Sequence, residues 1–142
     1  MKWLIAASAS LALPFSVAIA QDEALPHGFE TEALLKSGVT ADGDPLALPQ
    51  TDKPEIISVI GTLQPGGRTA LHQHPVPVYV YVMEGELEVQ TEGGQPRHYK
   101  TGEAFLESID RWHQAFNSGS SETKILVVFV GEEGKPTTIA KQ

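Results

Sequence analysis

Between Glu55 and Gly131 the chain is cut into short apolar or alternating runs, each ended by turn-forming residues, and this cadence constrains the fold more than any other feature. EIISVIGTL (55–63) stops at Pro65-Gly66-Gly67, TALHQH (69–74) at Pro75-Val76-Pro77, VYVYVM (78–83) at Glu84-Gly85, and ELEVQT (86–91) at Gly93-Gly94. PRHYK (96–100) turns at Thr101-Gly102, EAFLE (103–107) reaches another break, WHQAFN (112–117) stops at Ser118-Gly119, and ETKILVVFV (122–130) stops at Gly131. Eight strands at nearly regular spacing predict an all-β sandwich or closed barrel. In ELEVQT the period of two sends Leu87 and Val89 to the core and Glu86, Glu88 and Gln90 to water. ILVVFV has no polar alternation and is expected to be covered on both faces. No helical layer is left for a nucleotide-binding α/β fold.

The segments on either side read differently. Residues 1–20, MKWLIAASASLALPFSVAIA, carry one positive charge at Lys2, an apolar middle, and Ala18-Ile19-Ala20 before polar Gln21. That is the layout of a cleavable secretory signal. Pro14 and the serines at 8, 10 and 16 argue against the rival reading, a permanent membrane anchor. Export to the periplasm or the exterior is expected, with a mature chain beginning at Gln21. Residues 21–54 read as an irregular arm broken by Pro26, Gly28, Gly43, Pro45 and Pro49, in which FETEALLKSG (29–38) suits a short helix or an edge strand equally. Residues 55–131 form the domain and 132–142 a C-terminal tail.

Cleavage after Ala20 would leave 122 residues, enough for one domain with its own core. The chain has no cysteine, so burial and strand pairing must hold the fold without disulfides, and thiolate is excluded as nucleophile or ligand. The formal net charge is −8, with no cluster of lysine and arginine that would bind phosphate, which speaks against nucleic acid as a partner. After the signal, no apolar run approaches membrane-spanning length.

Three of the five histidines stand out. His72 and His74, at i and i+2 of one strand, send both imidazoles from the same face. Such a pair offers two nitrogen ligands to one ion, and beside a proline-rich turn it equally suits a solvent-facing role. His113 lies on another short strand about forty residues on, and a small barrel brings distant strands to face each other across its interior. Three neutral imidazoles on one ion suit Zn, Fe, Ni, Cu or Mn, whereas Ca and Mg favour oxygen. His27 in the arm and His98 in a polar hairpin strand read as surface residues.

These residues carry a resemblance to the cupin family. Its first motif, G-x5-H-x-H-x3,4-E-x6-G, is matched in spacing by Gly66, His72, His74, Val78 and Gly85. Its second, G-x5-P-x-G-x2-H-x3-N, is matched by Gly102, Ser108, Asp110, His113 and Asn117. Three positions depart: Val78 replaces the glutamate, Ser108 the proline and Asp110 the glycine. The resemblance implies a double-stranded β-helix, or jelly-roll barrel, often a homodimer, whose cavity typically holds one divalent metal. By position, His72, His74 and His113 would be the ligands, Asn117 and the glycines Gly66, Gly85 and Gly102 would be structural, and Ser108 and Asp110 would shape a turn.

The family hosts many functions, so the fold does not choose the reaction. The leading expectation is a metal-dependent enzyme of the dioxygenase type acting on a small organic molecule. The alternatives are a non-catalytic binder whose cavity is walled by Val78, Val80 and Val82, and a protein with a structural metal. With an apolar residue at position 78, three neutral ligands leave the ion's charge uncompensated in a dry site. Glu107, at the end of EAFLE and just before the turn that leads to His113, is the acid best placed to answer this as ligand, as hydrogen-bond partner of an imidazole, or as catalytic group; a solvated role is the alternative. Glu103 sits by a turn, and Glu86 and Glu88 alternate outward. Tyr79 and Tyr81 leave the face opposite Val78, Val80 and Val82, and Trp112 alternates away from His113, so all three read as packing residues.

Overall fold

A computed structural model describes residues 27–142; the expected signal segment 1–20 and its cleavage point lie outside the described residues. Residues 33–142 make one compact unit built from nine strands. These are β1 (Pro54–Leu63), β2 (His72–Gln73), β3 (Val78–Glu84), β4 (Glu86–Thr91), β5 (Arg97–Lys100), β6 (Ala104–Leu106), β7 (His113–Phe116), β8 (Thr123–Glu132) and β9 (Ile139–Ala140). They form two antiparallel sheets, of order β1-β8-β3-β6 and β5-β4-β7-β2-β9. Among the described residues there is no helix. The all-β class expected from the cadence of the runs, and the jelly-roll barrel that the resemblance implies, are therefore the ones found.

Alternation sets the core. Val78, Val80 and Val82 on β3 face inward with Leu87 and Val89 on β4, Phe105 on β6, Ala115 on β7 and Ile125 on β8. Tyr79 and Tyr81, on the other face of β3, are half-buried, as the period of two requires. The three valines are 0–1 % exposed. They are packed against neighbours, which overturns the expectation of an open apolar cavity around them: β-branched side chains at this spacing fill a small barrel.

The outer face of the four-stranded sheet carries Ile56 and Ile60 on β1 and Leu126, Val128 and Val130 on β8. Ile56 and Ile60 are exposed and the three β8 residues half-buried, so ILVVFV is covered on its inner face more than on its outer one. FETEALLKSG forms neither a helix nor a strand.

Both flanking segments are built into the barrel more closely than their composition suggested. In the arm, Val39 bridges Pro45, Thr40 N–H donates to Asp44 O at 2.8 Å, and Ala41 N–H donates to Leu106 O at 2.8 Å, tying the arm to the end of β6. At the other end, the segment read as a tail supplies β9, an edge strand beside β2. Gly85, between β3 and β4, adopts a φ of 75°, and a Cβ there would stand 2.5 Å from Glu122 O; the turn needs glycine on both counts.

Candidate metal centre

His72 on β2 pairs directly with His113 on β7, and His74 follows two residues after His72. Neighbouring strands and one strand face thus bring three imidazoles to one place, with ring centroids 4.5 to 5.1 Å apart. One candidate ligand atom from each lies within 4.8 Å of the others. His74 and His113 are buried and His72 is half-buried.

Every Nδ1 of the three is already engaged. His72 Nδ1 lies 2.7 Å from Ala70 O, His74 Nδ1 2.7 Å from Thr137 O, and His113 Nδ1 2.9 Å from Arg111 O. A carbonyl only accepts, so each Nδ1 carries the proton and donates it. In the neutral ring the Nε2 lone pair is then free, which is the tautomer a metal ligand needs. Burial lowers the pKa of His72 below its ordinary value, and the neighbouring His113 and His74 add to the effect, keeping it neutral.

Glu107 meets this cluster. Its carboxylate, only 9 % exposed, lies 3.0 Å from His74 Nε2 and 3.6 Å from His113 Nε2. Burial opposes the charge, and the imidazoles of His113 and His74 overcome that opposition, holding the carboxyl down to about 2. Burial likewise works against a charge on His113, and the Glu107 carboxylate prevails, raising its pKa. The 3.6 Å separation is too long for a hydrogen bond, so Glu107 acts on His113 as a nearby charge. His113 Nε2 is accordingly a buried nitrogen without a hydrogen-bond partner. Such an orphan, flanked by two further imidazoles, fits a metal ion: three imidazole nitrogens converge, with the Glu107 carboxylate beside two of them.

The three motif departures have structural accounts. Val78 is core, and Glu107 N–H donates to Val78 O at 2.9 Å while Leu106 pairs with Tyr79. Glu107 is therefore the cross-strand neighbour of the residue that replaces the motif's glutamate. The Ser108 hydroxyl donates to Asp42, which also pairs with Arg97. Asp110 adopts φ 55°, the left-handed conformation of the glycine it replaces, which aspartate tolerates better than most residues. Asn117 is structural, donating to Leu63 O and Ser121 O at 2.9 and 2.7 Å.

His98 is 68 % exposed and His27 is exposed; neither approaches the cluster. Asp42, the carbonyls of Ala70 and Arg111, and Thr137 with Thr138 escaped sequence reasoning. Asp42 carried a faint signal as an acid in a turn-rich stretch, whereas backbone acceptors carry none.

Room beside the histidines is scarce. A void of about 10 Å³ is lined by Asp42, Thr91, Tyr99, Glu107, Ser108 and His113, among others. A larger recess of about 520 Å³, walled by Leu48, Val76, Ile109, Pro136 and Ile139, includes none of the three histidines.

The Cupin domain family profile matches residues 59–129, half of the chain. No curated protein matches the sequence. Among solved structures, the chain is similar to an oxalate oxidase (27 % identity, TM-score 0.51, covering 60 % of this chain and 45 % of that one). It is also similar to the oxalate decarboxylase of Bacillus subtilis, which has Mn(II) centres (22 % identity, TM-score 0.51, 60 % and 23 %). A third likeness is to the DMSP lyase DddQ from Ruegeria pomeroyi DSS-3 (21 % identity, TM-score 0.53, 70 % and 47 %). The chain spans about a quarter to a half of the length of these proteins. With both motifs in spacing, two antiparallel sheets and the family profile in agreement, the chain belongs to the cupin family.

Proposed function

We propose that this chain is an exported cupin that holds one divalent transition ion through His72, His74, His113 and Glu107 and acts on a small organic molecule. The observation that carries the reading is the Glu107 carboxylate, buried beside two imidazoles and in register with Val78. A carboxylate lost from one strand is supplied by its neighbour, so the site keeps a negative ligand for the ion. A bound ion would supply Lewis-acid or redox chemistry at positions the protein leaves open. The protein's own contribution is to orient three imidazoles by their Nδ1–H bonds, to offset charge with Glu107, and to exclude bulk water.

The void of about 10 Å³ admits about one water molecule. A substrate therefore has only a few heavy atoms, or approaches past half-buried His72. The oxalate-acting and DMSP-cleaving proteins of the same fold support a small substrate, and the Mn(II) centres of one of them favour manganese or a similar ion. Export rests on the Lys2, apolar and Ala18-Ile19-Ala20 layout of the first twenty residues.

The test is the metal content of protein purified without chelators. The expected result is about one equivalent of a transition ion per chain, as one three-histidine site implies, lost on replacing any of the three histidines by alanine. Metal-free wild-type protein that takes up no added Mn²⁺ or Zn²⁺ would refute the proposal. A second reading, non-catalytic binding of an apolar ligand, is favoured by the recess of about 520 Å³, which lies within the usual range of small-molecule pockets. It predicts ligand binding undiminished by His113→Ala.

A further inference from the structure

We infer that residues 137–141 are a strap that positions His74 for metal binding, an inference that rests on the metal-binding reading above. β2 is only two residues long. Two residues of ladder cannot hold a strand in place alone, so the placement of its histidines depends on what flanks it. On one side β7 pairs with it at His72. On the other, β9 pairs Ala140 with His72 and Ile139 with Gln73. The strap also reaches the imidazole itself: Thr137 O accepts from His74 Nδ1 at 2.7 Å, and the Thr138 hydroxyl lies 3.2 Å from the same nitrogen.

The three histidines differ in this respect. His72 and His113 donate to carbonyls two residues back in their own segments, at Ala70 and Arg111. Those bonds come with the local strand. His74 alone of the three takes its acceptor from a segment 63 residues away. Its ring orientation, and the direction of its Nε2, therefore follow the position of the strap.

The strap is in turn fastened at its far end. Lys141 N–H donates to Leu71 O at 2.9 Å, and the Lys141 ammonium pairs with Glu92 and lies 5.3 Å from the centre of the Trp112 ring. Trp112 immediately precedes His113, so this anchor closes the strap over the strand that carries the third histidine. The tryptophan thus has a role besides burial, as a face for a cation. Lys141 is a positioning residue: it touches no ligand atom, and it holds the backbone that holds His74.

The test compares Lys141→Pro with Lys141→Arg in the full chain. Proline removes the amide donor to Leu71 O and the ammonium together, while arginine keeps both the amide and a cation. Zn²⁺ affinity is measured by titration, stability by melting in chelator, and the His74 Nδ1–H proton by NMR of the chelator-treated protein. Expected for Lys141→Pro are Zn²⁺ binding weaker by about 10- to 100-fold, an almost unchanged melting temperature in chelator, and loss of the protected Nδ1–H signal. Lys141→Arg should behave as wild type. Wild-type Zn²⁺ affinity in Lys141→Pro, or a loss of affinity matched by a general loss of stability in chelator, would overturn the inference. Should the wild type itself bind no metal, the metal-binding reading fails, and the NMR signal alone decides the strap: its persistence in Lys141→Pro overturns the inference and its loss upholds it.

Discussion

Replacing Glu107 by glutamine should weaken metal binding and also lower stability in the absence of metal. Glutamine keeps the shape of the side chain and removes its charge. In the metal-bound protein the loss removes the one negative partner of the ion, and a change of this kind weakens binding by about 10- to 100-fold, or about 1.4 to 2.8 kcal/mol. Metal at 100 times the wild-type Kd stabilises the fold by about 2.7 kcal/mol; at the same concentration the variant would gain about 1.4 kcal/mol for a tenfold loss and about 0.4 kcal/mol for a hundredfold loss. In chelator the direction is the same. The carboxylate is buried, with one imidazole at 3.0 Å and the other beyond hydrogen-bond length. Because the imidazoles of His113 and His74 hold the carboxyl well below its ordinary 4.5, its charge favours the folded state at neutral pH, and removing it should lower stability in chelator. Calorimetric titration with Mn²⁺ or Zn²⁺, beside thermal melts in metal and in chelator, reads both arms. Glu103→Gln is the control, since exposed Glu103 accepts only from Lys100 N–H. Equal metal affinity in the two variants would refute the reasoning and leave a three-histidine site.

His113→Ala should abolish most metal uptake, because three ligands are near the minimum for a tight site; His98→Ala should not, and elemental analysis of the two proteins checks this. Burial opposes the charge on Asp42, and the Ser108 hydroxyl and Arg97 overcome it, so its pKa lies below the ordinary 3.8. The stability this contributes is fully present above pH 3.8 and is lost as pH falls through the depressed value. Urea midpoints should thus show Asp42→Asn less stable than wild type at neutral pH, with the gap closing as pH falls below the ordinary 3.8. At Asp110, with φ 55°, valine should cost about 1 to 3 kcal/mol and glycine less than about 1 kcal/mol, measured by the same denaturation. Intact mass of the secreted protein should show Gln21 as the first residue; a membrane fraction that keeps residues 1–20 would refute export by cleavage.

The strands were legible because their signal is local. Turn residues at short intervals and a period of two recur from Glu55 to Gly131, and each of the eight runs contains a strand, although TALHQH shrinks to His72–Gln73 and EAFLE to Ala104–Leu106. β9 was illegible because two residues, Ile139 and Ala140, show no period; only the β2 edge beside them makes them a strand. The histidine trio could be read from parity and motif spacing. Glu107 could be nominated from its place before the turn, but its register with Val78 is a property of two strands at once and appears in neither run alone. Asp42, placed in an arm without periodicity, acquires its role through Ser108 and Arg97, at sequence separations of 66 and 55. The apolar cavity expected from Val78, Val80 and Val82 failed for a volumetric reason, since inward-facing valines fill a barrel this narrow.

The pairing of β1 with β8 has a consequence for how the chain reaches this state. Their ladder runs from Pro54 opposite Glu132 to Leu63 opposite Thr123, and β3 lies on the other side of β8. The strand at the centre of the four-stranded sheet is thus the last long one to emerge during synthesis. Until it arrives, β1 has no partner in this sheet and β3 has only β6, and the inward-facing Val78 and Val80 lack their neighbours on β8. Joining them closes loops of many tens of residues before any pair is gained, which places folding among the slow β topologies, on the order of milliseconds to seconds. β9 follows β8 in the chain, so the neighbour that completes β2 is made after the other eight described strands. The order of synthesis therefore gives this protein a long window with sticky, unpaired strand edges, in which a holding chaperone would act, and it makes capture of the ion a late event rather than a nucleus for folding.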